Sequence, residues 1–318
     1  MKYSGIGGQA VIEGIMMMKG EDYAVAVRRP DKEIEVKKDT YQSITKKAKI
    51  LQLPFVRRVF RFADSMIIGM RSLTYSASFF EDDEDAEPGK FEQFLDRVFG
   101  EKLESAIMAA VLVISFILAI GIFMLLPLGI ANLFKGVITS DHLMAVLEGV
   151  IRIAIFIIYI KLVSRMEDIR RTFMYHGAEH KCINCVEHGH PLTVKYVRES
   201  SKEHKRCGTS FILIVMVISI LMFMVIRVDT IWMRILSRII LVPVIAGISY
   251  EVLQCAGRSN SKFMDLVSRP GMWMQGLTTK EPDDSMIEVA IAATEAVFDW
   301  REYLTENFPG WEKQLEES

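Results

Sequence analysis

The chain has 318 residues, a hydrophobic fraction of 51%, a mean hydropathy of +0.24 and a formal charge of −2. That hydropathy is high for a soluble protein. With no basic stripe outside one membrane-flanking loop, nucleic acid is not an expected partner.

Residues 1–48 read as a small β-rich unit. GIGGQAVIEG passes from glycines into a short apolar run, and YAVAVRRPDKEIEV gives two alternating strands, Tyr23–Val27 and Glu33–Val36, around a turn at Pro30-Asp31. A sheet this small is marginal alone and is expected to pack on the middle loop or the C-terminal region. Residues 49–104 are expected to form amphipathic helices. Pro54 opens a stretch with Val56, Val59, Phe60, Ala63, Ile67 and Met70 at helical spacing, and Arg57, Arg58 and Arg61 fall on the other side. Two readings stay open for it: a helix lying on the membrane surface, or one packed on the protein's own bundle. Glu81 to Glu87 holds six acids in seven residues and marks a solvated linker at 81–90. Phe91, Phe94, Leu95, Val98 and Phe99 then read as a helix approaching the membrane.

Residues 105–163 carry two expected spans. Ser105 to Phe134 runs 30 residues without a charge, and His142 to Val163 is nearly as apolar but contains Glu148 and Arg152. Residues 164–206 form a polar loop. Residues 207–250 carry two more spans: Cys207 to Ile226, uncharged over 20 residues, and Ile231 to Tyr250 with Arg234 and Arg238. In residues 251–318, SRPGMWMQGLTTKEPDD reads as a loop. Asp283 and Asp284 stand where a helix N-terminus favours negative charge, and Met286, Val289, Ala290, Ala293, Val297 and Trp300 continue an amphipathic helix. The fold class is therefore a mainly α membrane protein: four transmembrane helices, a small N-terminal β-rich cytoplasmic unit and amphipathic interfacial helices.

Lys161 to Arg206 holds ten Lys and Arg, whereas the Leu128 to Asp141 connection holds only Lys135, so the middle loop is expected in the cytoplasm together with both termini. No cleavable signal peptide is expected, since the first span begins more than 100 residues in. Glu148 and Arg152 are i and i+4, as are Arg234 and Arg238. An interhelical pair of Glu148 with Arg234 or Arg238 is the expected use, with a transport pathway or a bound anionic lipid as alternatives.

Eight of the ten His and Cys residues fall between His176 and Cys207. Imidazole and thiolate are the side chains that best bind zinc-like ions, and a cytoplasmic location disfavours disulfides. His176, Glu179 and His180 give the H-x-x-E-H spacing, in which two histidines hold zinc and the glutamate is a general base. The second span is expected to run on as a helix to His176. His204 and Cys207 precede the third span, with Thr209 and Ser210 as caps. The two pairs then converge at one membrane face, with the intervening 23 residues looping above the metal. His188 and His190 flank a turn at Gly189 and Pro191. A closed four-ligand site that only holds the loop together is the competing reading, as is a loop with no metal, its histidines capping helices.

GGQAVIEGIMM at 7–17, AVAVRRP at 24–30, YHGAEHKCINC at 175–185, HKRCGTSF at 204–211 and PGMWMQGLTTKEPDD at 270–284 resemble the signatures of the YqhQ-like bacterial membrane proteins. That family is largely uncharacterised and carries the label of predicted metal-dependent enzymes. The resemblance runs from about residue 3 to residue 298 and implies a multi-pass protein of the bacterial inner (cytoplasmic) membrane. It singles out Glu13, His176, Glu179, His180, Cys185, His204 and Cys207. Cys182 stands where a threonine is expected, and Met18 where a basic residue is. Glu13 reads either as a further ligand or base, or as a turn carboxylate. The glycines at 5, 7 and 8 lack the Lys-Ser/Thr of a phosphate loop. Glu281, Asp283 and Asp284 read as helix-capping acids rather than ligands of a hard cation.

The expected function is that of a metal-dependent hydrolase at the cytoplasmic membrane face, acting on a membrane-proximal peptide or lipid-derived substrate. A divalent ion, zinc by chemistry, would be held by His176, His180, His204, Cys207 or Cys185, with Glu179 and Glu13 as catalytic carboxylates. The rivals are a non-catalytic scaffold with a structural metal and a protein partner, and an ion or lipid transporter. Membrane lipids are the expected surroundings in all three.

Overall fold

The computed structural model describes residues 1–43, 45, 54–80, 103–226, 230–258 and 261–316. The chain divides into two compact units, one of Met1–Phe80, Ile160–Met222 and Arg227–Ser318, the other of Glu81–Tyr159 and Phe223–Ile226. The acidic linker and the approach helix expected at 81–102 lie outside the described residues.

The first unit starts with an antiparallel meander, β1 (Ile6–Val11), β2 (Gly14–Lys19), β3 (Asp22–Arg28) and β4 (Ile34–Thr40), paired in that order. The two strands read from sequence are therefore longer than Tyr23–Val27 and Glu33–Val36, and a hairpin precedes them. The hairpin's second strand, GIMMMK, does not alternate because both sheet faces are covered, which makes its residues uniformly apolar. One face (Ile6, Ile15, Met17, Ala26) packs on α5 (Glu167–Glu187) and α10 (Asp284–Val297). The other (Val11, Met16, Tyr23, Val25, Val27) packs on Ile68 of α1 (Pro54–Ala77). The small sheet is thus the middle of three layers.

Among the described residues of α1, Asp64, Ile68, Ser72 and Ser76, spaced by four, are buried together with Gly69. Met70, which the apolar spacing assigns to the buried stripe, is exposed. The stripe that faces the sheet is partly polar because it serves loop hydrogen bonds. Asp64 accepts from the Tyr41 hydroxyl at 3.0 Å and the Ser43 hydroxyl at 2.6 Å, and Ser76 Oγ accepts the Ile12 N–H at 3.1 Å.

Among the described residues, four helices are long and apolar enough to cross a membrane: Val113–Asn132, Asp141–Val163, Gly208–Val225 and Ile239–Ala256. Between 11% and 28% of each is buried within the protein, so their apolar side chains face outward as lipid-exposed helices do. The first combines α2 (Leu103–Ile120), a π-helical turn (Gly121–Leu125) and α3 (Leu126–Asn132). The second is α4 (Asp141–Val163), on which Arg152 donates to Glu148 at 2.7 Å. Glu148 therefore has a partner on its own helix. The side chains of Arg234 and Arg238, its expected partners, lie outside the described residues. The third and fourth lie in α7 (Gly208–Val225) and α8 (Ile231–Arg258).

Two sequence expectations fail here. The second span does not continue to His176: α4 stops at Val163, Met166 is extended, and α5 starts afresh with Glu167 and Asp168 in its first turn. Ser164 Oγ donates to the Lys161 carbonyl at 3.0 Å where the first helix ends, and the two acids suit a new N-terminus. SRPGMWMQGLT is helix rather than loop, forming the second half of α9 (Lys262–Thr278). Tertiary packing overrides Pro270 and Gly271 there: a Cβ on Gly271 would lie 2.6 Å from Ser210 Oγ, so the glycine allows a close approach of α9 to the start of α7.

The 23 residues between the His pair and His204 are also mostly ordered helix. α5 runs to Glu187, and α6 (Val194–Glu199) follows the turn at Gly189. Beyond α9, Asp283 caps α10 by accepting the Met286 N–H at 3.0 Å, as the sequence suggested. α11 (Trp300–Asn307) and α12 (Lys313–Glu316) complete the first unit.

Gly177 carries a special constraint. A Cβ there would stand 2.1 Å from the Lys280 carbonyl oxygen, where the Lys280 N–H donates to the Phe173 carbonyl at 2.8 Å. Gly177→Ala is expected to destabilise the protein by about 1–3 kcal/mol through overpacking. Thermal or denaturant unfolding of the detergent-solubilised protein measures this, and a variant as stable as wild type would contradict the contact.

Candidate metal centre

His176 and His180 lie one turn apart on α5 and share a face. His176 Nδ1 lies 3.0 Å from the Thr278 carbonyl oxygen, and His180 Nδ1 lies 2.7 Å from that of Lys202. A carbonyl oxygen only accepts, so each Nδ1 carries the proton and each Nε2 presents a lone pair. This is the arrangement that orients imidazoles for metal binding. Cys207, the residue before α7, completes the group: its Sγ lies 3.2 Å from His176 Nε2 and accepts the Thr209 N–H at 3.4 Å.

The three ligand atoms lie within 4.8 Å of one another. Ligands of one zinc at about 2.0–2.3 Å stand roughly 3.3–3.8 Å apart, so the donor set fits such an ion within about an ångström of adjustment. Glu179 Oε2 lies 3.9 Å from both His176 Nε2 and His180 Nε2. Burial pushes the Glu179 carboxyl up, against the opposing pull of His176, the Gly8 N–H and Arg206. A cavity of about 130 Å³ adjoins these groups and is further lined by Gly7, Gly8, His204 and Arg206.

The remaining residues singled out by the sequence are placed elsewhere. His204 stands beside the trio, its ring 5.6 Å from that of His180, but its Nε2 is directed at Glu187 Oε2, 3.7 Å away. Burial lowers the His204 imidazole to about 4, so it is neutral at neutral pH. Cys185 faces away: its thiol donates to the Pro191 carbonyl at 3.3 Å, and burial pushes it up to about 12. Cys182 is fully buried in the apolar core. Glu13 occupies the β1–β2 turn at φ +47° and binds Arg171 through both carboxylate oxygens at 2.5 Å, with the Tyr175 hydroxyl at 3.3 Å. It anchors the hairpin to α5. His188 closes the end of α5, and His190 bonds Gln314 at 2.8 Å. Glu281 pairs with Lys181 at 2.6 Å and Asp284 with Arg198.

Several contributors escaped the sequence reading. Gln275 clamps the backbone of His204 from both sides, accepting its N–H at 2.9 Å and donating to its carbonyl at 2.7 Å. Thr209 and Ser210, expected as caps, instead bond Thr278 at 3.1 Å and Gln275 at 2.9 Å, tying the start of α7 to α9. Glu187 is fully buried and accepts from Ser4 N at 3.0 Å, Ser4 Oγ at 2.8 Å and Arg206 Nη2 at 2.5 Å. Gly8 has no room for a side chain: a Cβ would lie 2.8 Å from Glu179 Cγ. Of these, Gly8, Arg206 and Gln275 sat inside motifs visible in the sequence, whereas Glu187 lay outside them.

The fold and the site define a multi-span membrane protein in which two histidines of a helix beneath a sheet meet a cysteine from the start of another helix. The chain belongs to the DUF1385 family of proteins of unknown function, whose model matches residues 53–300. It is 34% identical over 286 residues to the uncharacterized protein YqhQ of Bacillus subtilis (strain 168), a match covering 90% of this chain and 89% of that one. No solved structure matches the chain.

Two outcomes follow from the site. Zinc content measured on purified protein is expected to fall in His176→Ala, His180→Ala and Cys207→Ser but to persist in Cys185→Ser, and loss in the last alone would contradict the ligand set. Burial alone would raise the Glu187 carboxyl, but His204, Arg206 and the Ser4 N–H outweigh it and bring it from 4.5 to about 2. Its contribution to stability is therefore complete above pH 4.5 and lost as the pH falls through about 2. Glu187→Gln is expected to be less stable at neutral pH and to lose less on acidification; equal acid limbs in pH-dependent unfolding would contradict this.

Proposed function

We propose that this protein is a metal-dependent hydrolase working at the cytoplasmic face of a bacterial inner membrane, with both termini on that side. The observation that carries the reading is the meeting of three donors, His176, His180 and Cys207, with the Glu179 carboxylate 3.9 Å from both imidazole nitrogens. The orientation rests on the excess of Lys and Arg in the middle of the chain.

The donor set is chemically that of a zinc-type ion. Bound there, such an ion supplies Lewis acidity that polarises a carbonyl or phosphoryl oxygen and acidifies water. The chain's own residues do the rest. The carbonyls of Thr278 and Lys202 hold both rings in the ligating tautomer. Glu179 takes a proton from the attacking water and returns it to the leaving group, as the water oxygen bonds to the electrophilic centre and the scissile bond breaks. Its burial raises its proton affinity, which suits a group that takes up a proton. With His204 and Cys185 outside the donor set, three protein residues would hold such an ion, the ligand number typical of catalytic rather than structural zinc.

A second reading has one observation behind it: Glu179 is equally near both imidazoles and can itself be the fourth ligand, making the ion a staple for a non-catalytic scaffold. Glu179→Gln separates the two. The hydrolase reading expects the variant to keep its zinc and to lose about 10²–10⁴ in turnover, measured on a panel of chromogenic ester, phosphodiester and labelled casein substrates. Loss of zinc in Glu179→Gln, or undiminished turnover, would contradict it.

A further inference from the structure

We infer that the free edge of β1 is the substrate cradle of this site and that the substrate is an extended polypeptide, docked as an additional strand. The inference rests on the hydrolase reading and names its substrate class.

β1 is the terminal strand of the meander, and among the described residues it pairs only with β2. Val11 pairs with Gly14 across the two-residue turn, so Val11, Gln9 and Gly7 direct their N–H and C=O groups at β2. Ile6, Gly8, Ala10 and Ile12 therefore direct theirs outward. Their surroundings agree with this register. The Ile12 N–H goes to Ser76 on α1, the Ile6 N–H to Ser4 Oγ at 3.3 Å, and the Gly8 N–H faces the Glu179 carboxylate. Gly8 and Gln9 are exposed.

The edge also lies at the chemistry. Ile6, Gly7 and Gly8 line the same cavity as His176, Glu179, His180 and Cys207. The Gly7-Gly8 pair puts bare backbone between the strand edge and the cavity, so a ligand running along β1 meets main-chain groups rather than side chains. With the Ile6 and Ile12 N–H groups taken by Ser4 and Ser76, the N–H groups of Gly8 and Ala10 and the outward carbonyls of Ile6, Gly8 and Ala10 are the groups that match the backbone of an extended peptide, the pairing used in strand addition. A lipid ester presents no such backbone.

An independent observation asks for a polar ligand in the cavity. Arg206, whose side chain is 9% exposed, lines it, and its buried Nη1 has no hydrogen-bond partner among the described residues. Its other terminal nitrogen is committed to Glu187. A buried guanidinium N–H without an acceptor is costly, and a peptide carbonyl entering the cavity satisfies it. The Gly8 N–H, which faces Glu179 at the cavity wall, is a further donor within reach of a peptide lying there. A peptide lying here is cut when water oxygen bonds to its carbonyl carbon. The C–N bond breaks, and Glu179 delivers the proton to the departing nitrogen.

The test uses the zinc-loaded full-length protein in detergent, with fluorescein-labelled carboxymethylated casein as an unfolded polypeptide and a chromogenic lipid ester as the rival substrate. Hydrogen exchange read by mass spectrometry is expected to slow across residues 6–11 when casein is added. Ala10→Pro removes one outward donor and is expected to weaken casein binding about fivefold, the worth of one backbone hydrogen bond. Ala10→Ser keeps the donor and is expected to bind like wild type, with zinc content confirming that both variants fold. Should Ala10→Pro lose its zinc, the exchange measurement alone decides. Casein bound without slowing of residues 6–11, or equal binding by the Pro and Ser variants, overturns the inference. Turnover of the lipid ester with no casein binding overturns it while sparing the hydrolase reading. Casein bound with protection but never cleaved overturns the hydrolase reading and leaves the docking edge standing.

Discussion

Two imidazole N–H groups given to two backbone carbonyls fix the direction of the whole site. Were either carbonyl displaced, the ring above it would be free to rotate or to exchange tautomers, and its Nε2 lone pair would no longer face Cys207. One carbonyl belongs to Thr278 at the end of α9, the other to Lys202 in the segment leading to α7. Both are remote in sequence from α5, so each must be brought to the helix and held. Much of the polar architecture of the first unit does this holding.

The face of α5 beyond the histidines supplies the means. Lys181 donates to the carbonyls of Arg198 and Ser200, and Asn184 to those of Ser201 and Glu203, so the strap carrying Lys202 is tied down on both sides. Glu187, one more turn along, takes Arg206 and the N-terminal Ser4. On the opposite side, Gln275 holds the His204 backbone, and Gly177 lets the Thr279–Lys280 segment lie against the helix. Each of these polar groups is buried, and a buried charge that loses its partner costs about 3–5 kcal/mol. The arrangement is therefore cooperative: removing one tether strands others. Such a site is held in a single geometry, which is what a metal centre and a positioned carboxylate require.

The parts of this that were legible in the sequence are those governed by local periodicity. Long apolar runs, two of them uncharged, marked the spans, and H-x-x-E-H at helical spacing put His176, Glu179 and His180 together. Cys207 was recognisable because it directly precedes a span. What stayed hidden depends on contacts between distant segments. IMMM in β2 reads as neither strand nor helix until both faces of the sheet are known to be covered. Pro270 and Gly271 argue for a loop on local grounds, yet Gly271 is there so that Ser210 can approach. The break between α4 and α5 left too faint a mark in Ser164 and the two acids after Met166 to outweigh an apparently continuous helix. His204 and Cys185 have the right chemistry in the right window, but their direction was set by Glu187 and by the Pro191 carbonyl, which spacing alone does not reveal.

The measurement that bears most directly on the central claim is X-ray absorption at the zinc edge of the zinc-loaded full-length protein. The expected first shell contains one sulfur at about 2.3 Å, from Cys207, with the remaining ligands nitrogen and oxygen at about 2.0–2.1 Å. A shell with no sulfur, or with two or more, would contradict the convergence of α5 and the start of α7 on one ion.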